Sequence, residues 1–158
     1  MGTLLTGDDY RSKPDPRPPA RRALDKALSE RKWQEKVMGR ARELHYRLMV
    51  HFFPGQFSNG RWLTNVNREG LGFCDLLCLR PPVMVALELK TEAKKPTEEQ
   101  ALWLDGFAAM PGCVAMYARP RDWEVVSDVL ARPWAYLPEP ERWALGPRTE
   151  GASHGAGV

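Results

Sequence analysis

Phe73-Cys74-Asp75-Leu76-Leu77-Cys78-Leu79-Arg80-Pro81-Pro82-Val83-Met84-Val85-Ala86-Leu87-Glu88-Leu89-Lys90 is the stretch on which the fold turns. It reads as two apolar strands joined by a Pro-Pro turn. Val83 to Leu87 is an uninterrupted apolar run, the mark of a central strand covered on both faces. Strand side chains alternate, so Met84, Ala86, Glu88 and Lys90 share one face and Val83, Val85, Leu87 and Leu89 the other. A hairpin makes the two strands antiparallel. A register pairing Leu79 with Met84 sets Asp75 opposite Glu88, and a slip of one leaves them diagonal. Charges on core strands are costly unless they are paired or bind a metal.

Working outward, residues 24 to 44 carry helical periodicity, with Leu28, Trp33, Val37, Ala41 and Leu44 on one stripe. His45 to Phe53 reads as a strand and Pro54 to Gly72 as a long loop rich in Gly and Asn. After the hairpin, Pro96-Thr97 opens a helix that Pro111-Gly112 closes. Cys113 to Ala118 is a short strand, and Arg121 to Ala131 a helix stopped by Pro133. The order helix, strand, strand, strand, helix, strand, helix predicts an α/β domain, a mixed central sheet flanked by helices.

The 158 residues, 43% of them hydrophobic, suit one domain over 23–145. Residues 1–22, with four prolines and a basic end at Arg21-Arg22, read as a flexible arm. The Gly- and Ala-rich residues 146–158 read as a disordered tail. No apolar run approaches the ~20 residues that span a bilayer, and no secretory leader is expected. Three cysteines in apolar contexts suit a reducing cytoplasm. A net charge of +3 permits a nucleic-acid partner without requiring one.

Asp75, Glu88 and Lys90 are the candidate site. Two carboxylates within reach of one ion suit a hard cation such as Mg²⁺, which takes oxygen ligands and keeps several waters. Such an ion can activate water and orient a phosphate, and a neighbouring lysine can stabilise developing charge. An exposed Glu88–Lys90 ion pair just past the strand end is the alternative. Glu30 and Gln34 are polar groups on an otherwise apolar helix stripe, though Ser29-Glu30 could simply mark a helix start. Thr97-Glu98-Glu99-Gln100 fits a capping box, a structural role sufficient to explain Gln100.

Five segments in order resemble the PD-(D/E)xK nuclease superfamily and, within it, the virus-type replication-repair nuclease (VRR-NUC) branch. They are Ser29 to Gln34, Gly72 to Leu76, Glu88 to Glu92, Pro96 to Leu104 and Ala118 to Trp123. The resemblance implies a restriction-endonuclease-like fold and a nuclease that hydrolyses DNA phosphodiesters with metal-activated water. It implies that Asp75, Glu88 and Glu30 hold Mg²⁺ or Mn²⁺ with the Leu89 carbonyl, that Lys90 is the catalytic lysine, and that Gln100 supports the site while capping its helix. Branched or flap-containing DNA is the implied substrate and a homodimer the implied assembly. Cys74 departs from the family's usual proline, a backbone-shaping position.

Arg61, Trp62 and Arg68, with Phe57 and three asparagines, interleave basic and aromatic residues in a manner suited to phosphates and unstacked bases. Trp62 could equally anchor its loop. Lys94 and Lys95 could meet a phosphate backbone or form a solvated turn. A zinc site from Cys74, Cys78 and Cys113 is disfavoured for want of paired ligand spacing. Cys74 and Cys78 are expected on the strand face opposite Asp75, and His45 and His51 on one face of a shared strand. Two further functions stand beside the nuclease: a non-catalytic DNA-binding or interaction module, and a sequence-specific restriction-type nuclease.

Overall fold

The structure, a computed structural model, describes residues 2–5, 17–52, 54–56, 62–64 and 70–139. The chain is an α/β protein with a five-stranded mixed sheet packed against helices. In chain order the elements are β1 (Thr3–Leu5), α1 (Pro19–Ala27), α2 (Glu30–Glu43), β2 (Leu48–His51), β3 (Pro54–Gln56), β4 (Trp62–Thr64), β5 (Leu76–Arg80), β6 (Val83–Leu89), α3 (Glu98–Ala109), β7 (Cys113–Ala118) and α4 (Trp123–Ala131). The sheet runs β1-β7-β6-β5-β2, while β3 and β4 form a separate antiparallel pair. β6 lies at its centre, antiparallel to β5 and parallel to β7.

The β5–β6 hairpin turns at a cis Pro81–Pro82 peptide and pairs Leu79 with Met84 and Leu76 with Leu87. Continuing that register by one residue brings Asp75 opposite Glu88. The two faces of β6 carry different layers. Val83, Val85, Leu87 and Leu89 pack with Leu76, Val114 and Met116 beneath Trp33, Val37 and Ala41 of α2 and Val126, Val129 and Leu130 of α4. On the other face Ala86, Ala115 and Tyr117 pack under Leu104 and Phe107 of α3. Burial on both faces explains the unbroken apolar run of β6.

Five expectations change. The helix over 24–44 is two helices, because Ser29 leaves helical geometry and its side chain accepts from Lys32 N–H, starting α2 afresh. The strand over His45–Phe53 shortens to β2, since His45, at φ 61°, ends α2. His45 N–H donates to the Arg42 carbonyl and Tyr46 N–H to that of Ala41, a Schellman closure that removes His45 from any strand face. The Pro54–Gly72 loop contains the β3–β4 pair. Cys74 precedes β5 and packs on the α3 side, while Cys78 packs on the α2 side, so the two do not share a face. The supposed arm of residues 1–22 contributes β1, parallel to β7, and the start of α1, where Arg17 and Arg21 pair with buried Asp25. The tail over 146–158 lies outside the described residues, of which none forms a helix long and apolar enough to cross a membrane.

Candidate active site

The carboxyl end of β6 is where the buried charge collects. Glu88 is wholly inaccessible and Lys90 nearly so. Their shared face, set by alternation, brings Lys90 Nζ onto Glu88 Oε1 as an ion pair. Apart from that pair, neither Glu88 oxygen has a hydrogen-bond partner among the described residues. An orphaned acceptor at such depth is expensive for folding alone.

Asp75 is held from three directions. Its Oδ2 accepts from Leu89 N–H at 2.7 Å, and its carbonyl accepts from Phe52 N–H at 2.9 Å. The turn before it is pinned to α3, because Trp103 Nε1–H donates to the Leu71 carbonyl at 3.0 Å. Gly72, at φ +80°, lies so close to α3 that a Cβ there would stand 2.5 Å from Glu99 Cβ. Phe73 then packs edge-on against Phe52, Trp103 and Phe107.

Glu30 arrives from the opposite layer as the first residue of α2. Trp33, one turn on, donates its indole N–H to the Ala118 carbonyl at 3.3 Å, and that carbonyl also accepts from Lys90 N–H at 3.0 Å. One backbone oxygen thus ties the start of α2 to the end of β6. Glu30 Oε2 receives Lys94 Nζ at 2.9 Å.

These groups feel one another. Burial pushes the Glu88 carboxyl up to about 7, and the Asp75 charge adds to that rise while Lys90 opposes it. Burial also raises Asp75, partly offset by the Leu89 N–H and by Lys90, with Glu30 adding to the rise. Burial pulls Lys90 down, but Glu88, Asp75 and Glu30 outweigh it and leave the ammonium above its ordinary range. Three carboxylates and Lys90 therefore share one electrostatic site, the perturbed clustering typical of functional centres.

The donor set fits a hard divalent cation. No three His, Cys, Asp or Glu side chains among the described residues form a ready-made cage. Mg²⁺ needs none, since it binds through one or two carboxylates and retains waters. The orphaned oxygens of Glu88, with Asp75 and Glu30 electrostatically coupled to them, are of the right kind. Strand alternation turns the Leu89 carbonyl to the same edge as its N–H, toward Asp75.

Gln100 is placed differently. Its Oε1 accepts from Thr97 N–H at 2.9 Å while Thr97 Oγ1 accepts from Gln100 N–H at 3.3 Å, a complete capping box. That employs the side-chain oxygen in the helix cap. Lys94 and Lys95 are both exposed on the loop after β6, and Lys94 pairs with Glu30. Trp62 lies in β4, whereas Arg61 and Arg68 fall outside the described residues. All three cysteines are buried, with thiols pushed up to about 12 by burial, as suits inert core groups.

Sequence reasoning missed the supports of the loop after β6. The Lys94 carbonyl accepts from Tyr117 Oη–H at 2.5 Å and from Arg119 Nε–H and Nη2–H at 3.2 and 3.1 Å. Arg119 is buried over the Tyr117 ring. Glu92 accepts from Arg121 N–H at 2.8 Å and pairs with its guanidinium. Backbone carbonyls carry no sequence signal, so the spacing of Arg119 gives no hint of its target. Comparison of the chain with protein-family models, curated proteins and solved structures gives no match.

Proposed function

We propose that this chain is a Mg²⁺- or Mn²⁺-dependent DNA endonuclease with a PD-(D/E)xK fold of the VRR-NUC type. The observation that carries the reading is Glu88, a fully buried carboxylate with both oxygens orphaned but for Lys90, at a strand end where Asp75 and Glu30 converge. A merely structural ion pair gives no reason to gather two more acids around it. The element order supports the same reading: a helix bearing Glu30, a hairpin bearing Asp75 and Glu88, a helix capped by Thr97, then the last strand and helix.

In this reading Asp75 and Glu88 would hold the ion, with Glu30 and the Leu89 carbonyl completing its surroundings, directly or through retained waters. The bound ion supplies a more acidic water and offsets charge on the phosphate. Asp75 is fixed by Leu89 N–H, so its free oxygen is aimed before any ligand arrives. Lys90, cationic at neutral pH, neutralises charge building on the phosphate oxygens and orients the attacking water. Water oxygen bonds to phosphorus, one ester P–O bond breaks, and the leaving oxygen takes up a proton. Branched or flap-containing DNA is the proposed substrate and a homodimer the proposed assembly.

The test incubates the protein with labelled linear, flap and four-way-junction DNA in Mg²⁺ or Mn²⁺, beside Lys90→Ala. Cleavage of at least one substrate, lost in the variant and in chelator, is the expected result. No cleavage of any substrate, or equal cleavage by the variant, overturns the reading.

A further inference from the structure

Lys94 sits where an exposed loop lysine has no need to be. Its side chain is 63% exposed, yet its ammonium reaches back 2.9 Å from Glu30, a carboxylate of the candidate metal site. Its backbone is fixed with unusual care. Three donors, one from Tyr117 and two from Arg119, converge on its carbonyl, and its own N–H bonds to the Thr91 carbonyl at 3.3 Å. Arg119 is itself held by Asp122, whose Oδ2 accepts from Arg119 N–H at 2.9 Å. A rigid pivot thus carries a flexible four-carbon arm.

We propose that Lys94 is a displaceable occupant of the metal site: it pairs with Glu30 when no divalent ion is present and swings to the DNA phosphate backbone when one binds. The proposal rests on the nuclease reading. Charge balance favours it. With all groups ionised, Glu30, Asp75 and Glu88 against Lys90 and Lys94 leave one negative charge. Withdrawing Lys94 leaves two, the charge that one Mg²⁺ or Mn²⁺ neutralises. Lys90 differs from Lys94 in being buried beside Glu88, so it stays while the exposed arm leaves. Released at the rim of the site, the Lys94 ammonium joins Lys95, exposed on the same loop, as a second cation open to a phosphate backbone. Metal loading thereby supplies a cation to DNA, and in the metal-free site Lys94 offsets one of the two negative charges that Lys90 leaves. Lys94 is a positioning residue in this scheme.

The experiment measures Mn²⁺ affinity calorimetrically without DNA for the full chain, Lys94→Ala, Lys94→Arg, Glu30→Gln and Glu30→Gln/Lys94→Ala. Removing a competing exposed pair is expected to tighten Mn²⁺ binding roughly threefold to tenfold in Lys94→Ala. Lys94→Arg should behave as the unsubstituted protein. In the Glu30→Gln background the alanine change should add little, because the pair is already broken. For DNA measured in Ca²⁺, Lys94→Ala should reduce the salt slope of binding by about one, and not do so in chelator. Unchanged or weaker Mn²⁺ binding by Lys94→Ala, or equal tightening in the Glu30→Gln background, overturns the proposal while leaving the nuclease reading intact. Failure of the unsubstituted protein to bind Mn²⁺ overturns both.

Discussion

Glu88 and Lys90 concentrate the buried charge of the candidate site. Burial pushes the Glu88 carboxyl up to about 7 in the fold, from 4.5 ordinarily. The folded state therefore holds a proton that the unfolded chain releases. The stability this gives is complete below the unfolded value and is lost as pH rises through the folded one. Metal-free protein should lose stability between about pH 4.5 and about pH 7, Asp75 acting with the same sign, and Glu88→Gln should flatten that slope in denaturant titrations. Lys90→Ala should cost more above that window than below it. Above it Glu88 is left ionised and unpaired, worth up to about 3 kcal/mol, whereas below it the carboxyl is neutral. An equal cost at both ends would place the Glu88 proton elsewhere. The Glu88–Lys90 face is legible in the sequence because alternation is local. The Glu30–Lys94 pair is not, since it spans 64 positions and depends on a loop path that no periodicity encodes.

At the level of elements, the site depends on how α3 and the turn before β5 lock together. Gly72 combines φ +80° with a Cβ position 2.5 Å from Glu99 Cβ. Gly72→Ala should destabilise by more than about 2 kcal/mol and lower any cleavage with it, since Asp75 follows three residues later. Gln100 and Thr97 share one capping box, so Gln100→Ala and Thr97→Ala should each cost about 1 kcal/mol and reduce cleavage in parallel. A much larger activity loss in Gln100→Ala at matched stability would give it a direct place in the site. The capping box and the hairpin register are readable from the chain because both rest on short-range chemistry. The α1–α2 break is obscured because the apolar stripe of Leu28 and Trp33 continues across Ser29. The β3–β4 pair is hidden by the glycines and asparagines around it, which resemble loop composition.

On the scale of the whole molecule, a central β6 with helices on both faces lets one strand end receive groups from both layers. Glu30 comes from the α2 side and the Gly72–Asp75 turn from the α3 side. β1 escapes sequence reading because it is three residues long, between Gly2 and a charged stretch. Its partner β7 is an interior strand only while β1 is present. Deleting residues 1–16 should lower the denaturant midpoint and raise concentration-dependent association through the opened β7 edge, while sparing the residues around Glu88. Size-exclusion chromatography beside unfolding curves would show both effects. What these scales share is the gathering of acids around buried Glu88 at one strand end. The most direct test is the anomalous scattering of Mn²⁺ in crystals of the protein grown above neutral pH, where Glu88 is ionised. One Mn²⁺ in direct contact with Asp75 and Glu88 is the expected result. No bound ion there in millimolar Mn²⁺, with Glu88 still paired only to Lys90, would contradict the metal-site reading.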